Sequence, residues 1–251
     1  MIPAPEAALI AAAGVVAGIV GSAGGITSLI SYPALLAVGI PAFPANVANN
    51  VSVTACWPGS ALASRPELQG TASLLRRWAW VTAVGGAIGA VLLLSTPPGA
   101  FSRVVPFLVA AGALTLLLQP RLSALRGRQA HASTPILVAG LLLVSVYSGY
   151  FGAGSGVMTL SLLLFTVDQN LARANALKNM LVGAATITSA VLFAVFAHVD
   201  WTAVAPLAAG TFAGSLVGPR VARRLPPALL RWLVAFTGLA LAARLWIDPG
   251  G

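Results

Sequence analysis

The sequence predicts an all-α polytopic membrane protein built from two inverted repeats of five apolar segments each. Three observations carry that expectation. First, 58% of the residues are hydrophobic and only 8% are charged, where a water-facing surface needs roughly a quarter charged residues. Second, one glycine cluster and one asparagine motif each occur twice. Third, the arginines sort to a single membrane face only when the segments are threaded in one way.

The apolar segments are read, in order, at 6–20, 24–39, 45–63, 76–95 and 100–119, then at 134–150, 154–167, 171–198, 202–220 and 228–246. Residues 7–64 contain no Asp, Glu, Lys or Arg, and further charge-free runs cover 78–102, 104–120, 132–167 and 201–219. Such runs are continuous and rich in Ala, Leu and Gly, so they read as helices; barrel strands would alternate with polar residues every second position. Pro33, Pro58 and Pro106 fall inside segments and are expected to kink them. Polar linkers are short, at 64–77, 120–133 and 219–231, and leave no room for a soluble domain. The N-terminus has no basic stretch ahead of its apolar run, so no cleavable signal is expected.

Threading decides the topology. If each segment pair around a glycine cluster is one long crossing, the chain has eight helices, and seven basic residues face in against six out. If each pair is a hairpin that enters and returns, Arg65, Arg76, Arg77, Arg121, Arg126, Arg128, Arg173, Arg220, Arg223, Arg224 and Arg231 all face the cytoplasm, and only Arg103 and Arg244 lie outside. The second arrangement obeys the positive-inside rule. It also gives each half an odd number of crossings, which inverts residues 127–251 relative to residues 1–126 within one integral-membrane domain and places both termini outside the cytoplasm. The hairpin legs, at about 15 residues, fit either tilted spans or re-entrant half-helices.

The first glycine cluster is Gly18-Ile19-Val20-Gly21-Ser22-Ala23-Gly24-Gly25; the second is Gly149-Tyr150-Phe151-Gly152-Ala153-Gly154-Ser155-Gly156. Glycine tolerates positive φ, and a helix that restarts after a break presents unpaired N–H groups and a positive dipole end. Two such ends aimed at the protein centre suit an anion. The alternative is that the glycines serve close helix packing, since the first cluster also has small-xxx-small spacing. Asn46 and Asn50 stand four residues apart in Ala45-Asn46-Val47-Ala48-Asn49-Asn50, as do Asn175 and Asn179 in Ala174-Asn175-Ala176-Leu177-Lys178-Asn179. Each pair shares a helix face. These amides either contact solute or cap the hairpin tips, and the two roles are compatible. Lys178, whose first-half counterpart is Asn49, either balances a bound anion or snorkels to the interface.

The acids instruct by their placement. Glu6, Glu67, Asp168, Asp200 and Asp248 all lie at segment ends or in loops, so no carboxylate sits where proton or sodium coupling usually needs one. His131 and His198 also lie near ends, and no acid–histidine cluster is present, so neither an embedded hydrolase nor a metal site is expected. The single cysteine, Cys56, forbids an intrachain disulfide framework and reads as a small packing residue. Most tryptophans sit near segment ends, as interface anchors do. The net charge of +9 reflects clustered loop arginines and not a nucleic-acid surface.

At its paired motifs the chain resembles the TauE/SafE (TSUP) family of sulfite and organosulfonate exporters, along nearly its whole length. Gly18, Gly21, Gly24 and Gly25, then Pro33, then Ala45–Asn50 match the first copy of the family pattern; Gly149, Gly152, Gly154 and Gly156, then Ala174–Asn179, match the second. Ala23 and Ser155 stand where the pattern has glycine, and Leu164 stands where the first copy has proline. The resemblance implies a multi-pass carrier in the bacterial inner membrane, with a small anion such as sulfite or a sulfonate as substrate, no cofactor, and the bilayer as its surroundings. The expected ligands are the amides after Gly24-Gly25 and Ser155-Gly156, the clusters' Gly21, Ser22, Gly152 and Gly154, and the side chains of Asn46, Asn50, Asn175, Lys178 and Asn179. A passive anion channel and a non-transporting subunit of a membrane complex are the rival expectations.

Overall fold

The computed structural model describes residues 2–124, 134–168, 170–222 and 227–247. Arg126, Arg128, His131, Arg223, Arg224 and Asp248 lie outside the described residues, as do the 126/127 boundary and the side chains of Arg121 and Arg231. Twelve helices are described: α1 (Ala4–Gly24), α2 (Ser28–Ala37), α3 (Ala42–Val53), α4 (Cys56–Ala63), α5 (Arg65–Leu68), α6 (Ala72–Leu94), α7 (Pro98–Ala124), α8 (Thr134–Tyr150), α9 (Ser155–Thr166), α10 (Leu171–Phe196), α11 (Trp201–Ala222) and α12 (Pro227–Ile247). No strand occurs among the described residues.

Among the described residues, five stretches are long and apolar enough to cross a membrane: Ala4–Gly24, Ala72–Leu94, Pro98–Leu118, Leu171–Phe196 and Trp201–Gly218. The two helices that follow the glycine clusters are short. At 10 and 12 residues, α2 and α9 rise about 15 and 18 Å, near half the thickness of the hydrocarbon core.

The expected segment 45–63 is not one helix. It breaks at Thr54–Ala55 into α3 and α4, because Pro58 has no N–H to return to the Thr54 carbonyl. That carbonyl instead accepts from Trp57 at 3.0 Å, a tightened turn. The matching stretch in the second half is the unbroken α10. Helices α2 and α7 continue through Pro33 and Pro106.

Packing between the halves is reciprocal. Helix α1 lies along α11, and α8 lies along α6; α6 packs on α10, and α11 on α3 and α4. Helices α7 and α12 pack on one another, and each also touches the short helix of the opposite half, α9 and α2 respectively. Small residues make the two long pairings close. A Cβ at Gly14 would sit 2.7 Å from the Leu207 carbonyl oxygen, and Gly18, Gly210 and Gly214 likewise face backbone across the α1–α11 seam. Gly85 and Gly89 meet α8 in the same way, while Gly149 meets Gly86. For Gly18 and Gly149 the packing role therefore applies.

Behind the second break, buried rings fix the short helices. Tyr32 of α2 meets Phe151 edge to face at 5.3 Å, and Phe101 of α7 packs against Phe151 and Phe43. The Tyr147 hydroxyl faces the carbonyls of Ala153 (2.7 Å) and Leu108 (3.3 Å), tying the break to α7.

Candidate functional site

Each glycine cluster ends in a backbone reversal that only glycine makes cheaply. Helix α1 runs through Gly24, so the first three clustered glycines are helical; the reversal is Gly25 at φ +80°, whose N–H closes onto the Gly21 carbonyl at 2.6 Å. Helix α2 restarts only at Ser28, three residues beyond Gly25. In the second half α8 stops at Tyr150, and Gly152 (φ +84°) and Gly154 (φ +80°) turn the chain into α9. A side chain in this left-handed region costs about 1–2 kcal/mol per residue.

The two reversals touch. A Cβ at Gly25 would lie 2.5 Å from the Gly156 carbonyl carbon, and one at Gly156 would lie 2.5 Å from the Gly25 Cα. No side chain larger than hydrogen fits at either position without parting the tips.

The repeated amide motifs brace these tips across the halves. Asn175 and Asn179 of α10 both donate to the Ser22 carbonyl, at 3.0 and 3.1 Å, and Lys178 Nζ donates to the Gly21 carbonyl at 3.2 Å. Conversely, Asn46 of α3 donates to the Tyr150 carbonyl at the end of α8, at 2.9 Å. Each motif thus braces carbonyls in the last turn of the other half's helix, and the Gly21 carbonyl among them also accepts from the Gly25 N–H. Asn50 turns back to the Asn46 carbonyl at 3.1 Å, and Asn49 links Ser28 (3.0 Å) and Ser31 (2.5 Å) to hold α2 on α3.

Beside the touching tips lies a cavity of about 60 Å³. At roughly 10–15 Å³ per water on the same measure, it has room for about four waters. Gly21, Ser22, Gly25, Asn50, Gly152, Ser155, Gly156, Lys178 and Asn179 line it, as expected from sequence. Gly24, Asn46, Gly154 and Asn175 do not. Gly24 faces open space, Gly154 packs on Gly112 of α7, and the amides of Asn46 and Asn175 are committed to capping.

One expectation is extended. Cys56, expected to be a small packing residue, also stands on the cavity wall, where α4 places it beside Trp57. Thr27, Ser28, Ser60, Ser148 and Thr186 join them there. A helical ladder drawn onward from each asparagine would have found three of these, Trp57, Ser60 and Thr186: it runs Asn50, Val53, Trp57 and Ser60 on one wall and Asn179, Val182, Gly183 and Thr186 on the other.

The wall is rich in hydrogen-bond donors. Lys178 is 1% exposed, and no carboxylate lines the cavity among the described residues. Ser28 Oγ accepts from Asn49, which leaves its hydroxyl proton for the cavity; the Ser155 hydroxyl donates to the Gly152 carbonyl at 2.8 Å and lies 3.2 Å from the Ser148 hydroxyl. Among the described residues no group of three His, Cys, Asp or Glu side chains stands ready to hold a metal. The chemistry on offer is a single positive charge surrounded by hydroxyls and amides.

The family described as "Sulfite exporter TauE/SafE" matches the chain over residues 7–245. A "Probable membrane transporter protein ORF9" from a Sinorhizobium species is 28% identical over 238 residues, 93% of this chain and 90% of its own. A "Probable membrane transporter protein" of Haemophilus influenzae is 28% identical over 250 residues, 97% and 95% of the two chains. "Probable membrane transporter protein YfcA" of Escherichia coli is 28% identical over 240 residues, 94% and 87%. No solved structure matches.

Proposed function

Because the chain belongs to the sulfite exporter TauE/SafE family of membrane transporters, we propose that it is a secondary carrier that moves a small anion, sulfite or an organosulfonate, by alternating access around the cavity at the two hairpin tips. The observation that carries this reading is Lys178, a buried lysine on the wall of a polar cavity that no carboxylate lines among the described residues. A lone charge in a low-dielectric interior is costly until an opposite charge joins it. An anion in the cavity supplies that charge, and the hydroxyl of Ser28 supplies a further hydrogen bond.

Within this proposal the halves are inverted repeats. The reciprocal packing of α1 on α11 and α8 on α6 supports a pseudo-two-fold relation, and hairpins whose returning legs rise about half the bilayer place their tips near the midplane. The basic linkers then face the cytoplasm and both termini the opposite side of the inner membrane. The break between α3 and α4, absent from α10, gives the halves different shapes; exchanging those shapes would open the cavity to the other face.

The test is counterflow of labelled sulfite, with a panel of sulfonates as competitors, in proteoliposomes of the purified protein. A carrier gives a flux that saturates and is stimulated by anion on the far side. Flux without saturation would indicate a channel, and no flux for any anion would remove the proposal.

A further inference from the structure

The Lys178 ammonium has two neighbours, and the anion is only one of them. The other is the carboxyl end of α1. Its last turn presents carbonyls at the negative end of the helix dipole, where the Gly21 carbonyl also accepts from the Gly25 N–H at 2.6 Å. Lys178 takes the Gly21 carbonyl at 3.2 Å, and the next carbonyl, Ser22, takes both amides of Asn175 and Asn179. One turn before Lys178, Asn175 Oδ1 is buried and has no hydrogen-bond partner among the described residues. Helix-end carbonyls with a side-chain oxygen beside them form the kind of ligand set with which broken-helix carriers hold a monovalent cation.

The other hairpin has no such charge. The counterpart of Lys178 is the neutral Asn49, which bonds to Ser28 and Ser31 of its own half. Among the described residues, the only titratable side chain on the cavity wall apart from Lys178 is Cys56. Helix α8 places its tyrosine hydroxyls elsewhere, Tyr147 at Leu108 and Ala153 and Tyr150 at Thr96. On α10 itself, Arg173 pairs with Asp168 at 3.4 Å.

We infer that Lys178 is a tethered cation: its ammonium occupies the place at the end of α1 where a sodium-sized ion would otherwise be recruited, so the carrier moves its anion without sodium. The assignment rests on the anion-transport reading above. It gives the charged residue of one motif and the neutral residue of the other distinct roles in the cycle, which anion binding alone does not.

The experiment is labelled-sulfite counterflow in proteoliposomes with sodium, potassium or choline as the sole cation. Wild-type protein is expected to run at one rate in all three. Lys178→Asn, which gives the second motif the neutral residue of the first, is expected to run about tenfold slower or worse in choline, because it loses a buried charged contact. Sodium or methylammonium should then restore most of that rate. Lys178→Ala takes the same test if the asparagine variant does not reconstitute as a monodisperse protein. A folded variant that no added cation revives overturns the inference, and so does a wild-type flux that requires sodium. Wild-type protein that moves no sulfite under any cation would sink the transport reading as well.

Discussion

Alanine at Gly156 and alanine at Gly24 should have opposite consequences, although both residues belong to the paired glycine clusters. A Cβ at Gly156 lies 2.5 Å from the Gly25 Cα and 2.6 Å from the Gly25 oxygen, and ordinary contact begins at 3.4 Å, so the tips must part by about 0.9 Å. Both contacts are backbone, so no flexible side chain can yield. Overpacking of this kind costs about 1–3 kcal/mol, which in a chain of this size lowers the melting temperature by about 3–9 °C. The shift also displaces Gly25 and Gly156, both on the cavity wall, and sulfite counterflow should fall more than the melting temperature alone would imply. At Gly24 a Cβ meets nothing within 4 Å and the residue is helical, so alanine should leave stability unchanged or raise it by up to about 1 kcal/mol. Thermal melts in detergent and counterflow in proteoliposomes measure both. Equal losses for the two variants, or no loss at Gly156, would refute the contact between the tips.

Asn175→Ala and Asn179→Ala should each cost little, because the remaining amide still serves the Ser22 carbonyl; removing both should cost about 1–3 kcal/mol more than the two losses added, as read by thermal melts. Gly183→Ala puts a Cβ against the Trp57 indole and must push that ring toward the cavity, so it should slow counterflow, and Trp57→Leu in the same chain should restore part of the rate. Cys56, the chain's single cysteine, lines the cavity, so alkylation with N-ethylmaleimide followed by removal of the reagent should block counterflow, while Cys56→Ser should transport and resist the reagent.

Much of this was legible in the sequence because each signal was physical and occurred twice. Ten apolar runs became the principal helices, and the Gly25 and Gly152–Gly154 reversals fall inside the two clusters. Several register details were not legible. Whether Gly24 belongs to a helix or a break depends on where α1 stops, and a run of small residues sets no stop until tertiary contact with Gly156 does. The capping work of Asn46 and Asn175 was one of two stated roles, and only the fold brings each to the opposite half. Trp57 stands on the helical ladder that begins at Asn50, whereas Cys56 lies off it and reaches the cavity only through the turn into α4. Proline was an uneven guide: Pro58 coincides with a break, whereas α2 and α7 continue through Pro33 and Pro106.

The central claim, that a buried ammonium at the meeting of two helix breaks holds the transported anion, is tested most directly by equilibrium binding of labelled sulfite to purified protein. Wild-type chain should bind at one saturable site, and Lys178→Met, matched in length and melting at the same temperature, should lose that binding at least about tenfold. A folded Lys178→Met protein that binds sulfite as tightly as wild type would contradict it.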